Sequence, residues 1–81
     1  MEYHYKKEVL EWLAVHGVRP EPSTRPELVH EFVNALYRYE LRRLRDRLLR
    51  RDIPKAGYHD RVVEVRRKYP LLSIKLPQWL E

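Results

Sequence analysis

Glu27 and His30 stand three apart in Glu27-Leu28-Val29-His30, the spacing that sets two metal ligands on one face of a helix. A dinuclear site of that kind also needs a second such pair and further carboxylates from facing helices. No second copy occurs, and His4, His16 and His59 show no ligand spacing with one another. His30 therefore reads as a surface or boundary histidine, and neither a metal nor another cofactor is expected. Nucleophilic chemistry has as little to work with. There is no Cys, Ser23, Ser73 and Thr24 are the only Ser and Thr, and two glycines cannot make a phosphate-cradling loop. Disulfides and thiolate metal sites are excluded on the same count.

Charge is the stronger signal. Residues 38–51 hold Arg38, Arg42, Arg43, Arg45, Arg47, Arg50 and Arg51 against Glu40 and Asp46, which equals the net +5 of the whole chain. The remaining residues carry ten Lys and Arg against ten Asp and Glu. Clustered arginines on a helix can neutralise phosphates and release counterions, so these seven are the candidate polyanion-binding residues. The plainer reading is a solvated helix whose arginines pair locally, Asp46 with Arg42, Arg43 or Arg50 and Glu40 with Arg43, while their stems cover apolar surface. Arg38, Arg42 and Arg45 form one stripe and Arg43, Arg47 and Arg50 another, so the charge points around the helix. The segment also lacks the Asn and Gln expected of base readout. The solvated reading is preferred. Glu40 projects between two apolar faces, where a partly buried carboxylate calls for an ion pair with Arg43, Arg47 or an arginine of another element.

The elements that position these residues read as helices. Val9, Trp12, Leu13 and His16 fall on one helical face, which predicts a first helix from about Tyr3 to His16. Gly17 is its natural stop, with Val18 folding back on Leu13. Thr24-Arg25-Pro26-Glu27 has the pattern of a capping box, which predicts a second helix from about Thr24 to Arg51. Its apolar face turns along its length. Leu28, Val29, Phe32, Val33 and Leu36 mark the first half, and Tyr37, Leu41, Leu44 and Leu48 mark the second, about 90–120° further round. One long helix thus offers two faces to two partners. Tyr58, Val62, Val65 and Tyr69 repeat the four-three-four spacing of the second face. They predict a third helix over about 55–69 that packs on it as an antiparallel hairpin.

Pro70 ends that helix and begins an apolar tail. Leu72, Ile74 and Leu76 alternate with polar residues as a strand would, but no second convincing strand exists to pair with them. An extended arm over residues 70–81 is expected. Leu72, Ile74, Leu76, Trp79 and Leu80 give it too much apolar surface for a solvated tail, and they are the candidate interface residues.

At 81 residues the chain reads as a single domain with a thin core. The expected fold is all-α, with a long central helix, a shorter helix packed on each half of it, and the arm. The polar start Met1-Glu2-Tyr3-His4-Tyr5-Lys6-Lys7 does not resemble a signal peptide, and no segment approaches the roughly 18 apolar residues of a membrane span. A cytoplasmic location with no membrane partner is the expectation. The expected function is a small non-enzymatic module for protein–protein contact or assembly, with a protein partner or a second copy. No small-molecule substrate is inferred. The alternative is an RNA- or DNA-binding module using the arginine-rich half of the central helix.

Overall fold

A computed structural model describes residues 2–81 as an elongated body of 49 × 18 × 16 Å. Its spine is a long helix. Helix α1 spans Lys7–Val15, α2 spans Pro26–Leu49 and α3 spans Lys55–Arg67. Two short 3-10 turns, Pro70–Ser73 and Leu76–Trp79, complete the order. The all-α class expected from the periodicity is what forms. At 1.5 Å per residue α2 runs about 36 Å, which accounts for most of the long dimension.

Both ends of α1 have a physical cause. Its C-terminus is a complete Schellman ending. Gly17 takes a φ of 75°, its amide donates to the Ala14 carbonyl, and the Val18 amide donates to the Leu13 carbonyl. Its N-terminus corrects the sequence reading, because the helix begins at Lys7 and not at Tyr3. Residues 3–6 are extended instead. The Tyr3 amide donates to the Pro22 carbonyl at 2.7 Å, and the Lys6 amide donates to the Trp79 carbonyl at 2.9 Å. Tyr5 and Leu80 form an isolated antiparallel bridge, and the Glu81 amide donates to the His4 carbonyl. Tyr5 is buried while Glu2 and His4 are exposed, the period-two pattern of extended chain. A helical first turn would leave its amides without intrahelical partners.

The start of α2 is a second correction. Arg25 occupies the cap position, and no side chain caps the helix. The Thr24 hydroxyl turns back to accept from the Glu21 amide at 3.0 Å, closing a turn in the connector. The capping box is not made. Pro26 sits in the first turn, where it sacrifices no helical hydrogen bond. The far end of α2 is a Schellman ending without glycine. Arg51 takes a φ of 63°, its amide donates to the Leu48 carbonyl, and the Asp52 amide donates to the Arg47 carbonyl.

The core follows the turning apolar face of α2. Val29 and Val33 are buried in the first half and Leu44 in the second. Around Leu44, α3 returns antiparallel and buries Val65, with Ile53 buried in the connection. On the first half, Val9 and Leu13 of α1 share one core with Val29 and Val33, as expected, and the tail adds a cover that was not expected. Both tail turns also lie against α2. The tail is therefore no extended arm. It folds as two turns across the helices, with Leu71 at 2% exposure and Trp79 at 0%. The Trp79 ring lies 5.8 Å from His30 of α2, while its carbonyl holds Lys6 just before α1. Its indole N–H finds no acceptor among the described residues.

Candidate functional site

Two surfaces qualify as candidate sites. The first is the arginine-rich end of α2. Arg38, Arg42, Arg43, Arg45, Arg47, Arg50 and Arg51 are all exposed. None of them pairs with a carboxylate, because Lys68–Glu40 is the one ion pair among the described residues. The local pairs expected of Asp46 and of Glu40 with Arg43 are not made. Arg43 instead lies over the Tyr39 ring at 5.9 Å, a weak cation–π geometry. Antiparallel packing adds what the α2 sequence alone does not contain. Arg43 and Arg47 meet Arg61 of α3 and Lys68 at its C-terminal cap around an open groove whose acids are Glu40 and Glu64. The signal that could have found Arg61 and Lys68 is helical spacing, since Arg61, Glu64 and the capping Lys68 fall on one side of α3.

Glu40 is half-buried as expected, but its partners are not arginines. Its carboxylate receives the Lys68 ammonium at 3.3 Å and the Tyr69 hydroxyl. Tyr69 is buried, and its ring stacks on His16 at 4.3 Å and meets Tyr37 at 5.4 Å. Burial, then the hydrogen bond and charge of Glu40, push the Tyr69 phenol well above its ordinary 10.0. The His16 ring is also tied to α3, with Nε2 at 2.7 Å from the Lys68 carbonyl. A carbonyl only accepts, so this nitrogen carries the proton. The arrangement anchors the end of α1 to the end of α3. At the other end of the molecule the Tyr5 hydroxyl donates to the Thr24 carbonyl at 2.6 Å, and burial, followed by Glu27 and Tyr3, raises its pKa.

Glu27 is exposed and His30 packs on Trp79, and no group of three or more His, Asp or Glu forms a ligand cluster among the described residues. The tail residues proposed as an interface are turned inward. Trp79 is spent entirely in the chain's own core, and Leu72, Ile74, Leu76 and Leu80 are half-buried against it. No helix among the described residues is long and apolar enough to cross a membrane.

The second surface is apolar and lies where the sequence reading placed core. Leu28 and Phe32 were counted on the first face of α2, yet they are 57% and 55% exposed, and Tyr39 is 57% exposed. With the exposed Ala35 they make a stripe at four-three-four spacing. Phe32 and Leu28 border a hollow that also holds Val18 and Pro20. Tyr39 shares the neighbouring hollow with Leu36 and with Trp12 and Val15 of α1, both of which are exposed. Helix α2 thus carries a continuous apolar stripe outside the core, widened on one side by α1.

Compared with known proteins, the chain matches no family model, no curated protein and no solved structure. The functional reading rests on the two surfaces alone.

Proposed function

We propose that this chain is a small non-enzymatic module that works through protein–protein contact, and that the contact face is the apolar stripe of α2 with the adjoining edge of α1. The observation that carries the reading is the exposure of Leu28, Phe32 and Tyr39 beside Trp12 and Val15. Large aromatic and aliphatic side chains gathered on one face mark association surfaces, because covering them removes apolar area from water. Aromatic residues are enriched at such interfaces for the same reason. The half-buried Leu36 provides a packed floor beside them.

A photoreactive phenylalanine analogue tests the reading directly. Placed at Phe32 in cells, it should form crosslinked protein species on illumination, and placed at Arg61 it should not. Protein crosslinks from position 61 alone would overturn the choice of face.

A second reading has its own support, the seven arginines in and just after the second half of α2, which lack carboxylate partners among the described residues. A nucleic-acid module would use them with Arg61 and Lys68 as a sequence-independent phosphate contact. Its mark is binding to single or double strands that weakens steeply with salt and loses slope when Arg43 and Arg47 are replaced by Ala.

A further inference from the structure

We propose that the occupant of the α2 stripe is a second copy of this chain, lying antiparallel across a twofold axis near the middle of the stripe. The inference rests on the protein-contact reading above and names its partner. Leu28, Phe32, Ala35 and Tyr39 span about 60° of the helix circumference, a seam narrow enough for a two-helix contact. Their four-three-four spacing keeps successive side chains on that seam for about 17 Å.

Size and charge both select the antiparallel direction. Paired antiparallel, the seam sets Phe32 against the partner's Ala35 and Leu28 against the partner's Tyr39, so each aromatic ring meets a smaller aliphatic side chain. A parallel pair would stack Phe32 on its own copy and leave Ala35 facing Ala35. Glu31 and Arg38 lie on the same edge of the seam, seven residues apart on either side of its centre, and both are exposed. An antiparallel twofold brings Glu31 opposite the partner's Arg38, and does so twice. A parallel pair would instead bring Arg38 beside the partner's Arg43, with like charges in contact. Neither Glu31 nor Arg38 has an ionic partner within its own chain among the described residues. The opposite edge of the seam is lined by Trp12 and Val15, which extend the covered area onto α1.

Sedimentation equilibrium on the intact protein decides the matter. The expected mass is twice the 10.0 kDa of the chain, falling toward one chain on dilution. Phe32→Asp should give one chain at every concentration with unchanged far-UV circular dichroism, since this ring is already half exposed. Glu31→Arg and Arg38→Glu should each weaken association roughly tenfold, because each reverses two symmetric contacts. The double exchange Glu31→Arg with Arg38→Glu should restore the wild-type constant. A wild-type mass of one chain at several hundred micromolar overturns the second copy as partner, and crosslinks from position 32 to another protein would then leave the contact face standing. A dimer that survives Phe32→Asp overturns the face itself, and with it both proposals. Failure of the double exchange to restore association overturns the antiparallel geometry.

Discussion

The two halves of α2 are buried by different kinds of neighbour. The second half is covered by α3, which returns after a short connection, so Leu44, Ile53 and Val65 meet over a modest separation in sequence. The first half is covered by pieces distant in sequence, with Tyr5, Val9 and Leu13 from one side of the chain and Trp79 from the other sharing a core with Val29 and Val33. The hairpin half is built from helical spacing that local sequence specifies. The other half depends on one fully buried tryptophan that joins the tail to α1 and α2. The charge is divided the same way, with the arginines on the hairpin half and the exposed apolar stripe on the other. A short chain can thus expose two unlike surfaces because a single helix turns its buried face along its length.

The comparison is broken most forcefully at Trp79. Trp79→Ala should cost about 3–5 kcal/mol, a large share of the stability of a domain this size. A urea melt reads the loss, and native-state hydrogen exchange should show α1 losing protection before α2 and α3. Equal loss in all three helices would mean that the halves are one cooperative unit.

Tyr69 probes the junction between them. Its phenol has a pKa above 10.0 in the folded state, so its stabilising effect is fully present below pH 10 and is lost as the pH rises beyond that value. Tyr5 shifts in the same direction. Tyr69→Phe should cost about 1–2 kcal/mol at neutral pH, through the lost hydrogen bond to Glu40. It should also flatten the alkaline decline in melting temperature. A decline equally steep in the variant would assign the alkaline sensitivity elsewhere.

Arg51 offers the opposite sign within the hairpin half. Its left-handed conformation costs a non-glycine residue about 1–2 kcal/mol. Arg51→Gly should recover about 1 kcal/mol and raise the melting temperature by about 4–8 °C. A lower melting temperature would show that the arginine side chain contributes more than the backbone strain costs.

The smallest effect is expected at the entry to α2. Thr24→Ala removes the acceptor of one exposed amide in the connector and leaves the helix cap untouched, so the loss should stay near 0.5 kcal/mol. A loss of a full helix cap, about 1 kcal/mol or more in a thermal melt, would restore the capping box.

What the sequence made legible follows the same division. The hairpin half could be read from Tyr58, Val62, Val65 and Tyr69, whose spacing matches that of the α2 face they cover. Gly17 marked the end of α1, because few other residues take its conformation. The other half could not be read residue by residue. Tyr3 and Tyr5 alternate with polar neighbours over too few positions to stand as a strand without the tail, and the tail's alternation had no visible partner. Leu28, Val29, Phe32, Val33 and Leu36 span about 140° of the helix, wider than one thin layer of core can cover. Only the side bearing Val29 and Val33 is buried, and the excess became the exposed stripe. For Glu40 the need for a cation was legible, but Lys68 and Tyr69 reach it only once α3 has returned.

The pairing of Tyr5 with Leu80 bears on the order of folding. Contacts within the hairpin close a short loop, whereas this bridge and the Lys6–Trp79 hydrogen bond close a loop of nearly the whole chain. The entropic cost of closure grows with loop length, so the hairpin is expected to form first and the bridge last. Until the bridge forms, Tyr5, Val9, Leu13 and the first-half valines lack their cover, and a partly folded chain shows them to solvent. Trp79 is the natural reporter of that final step, with fluorescence that should change in the slowest refolding phase.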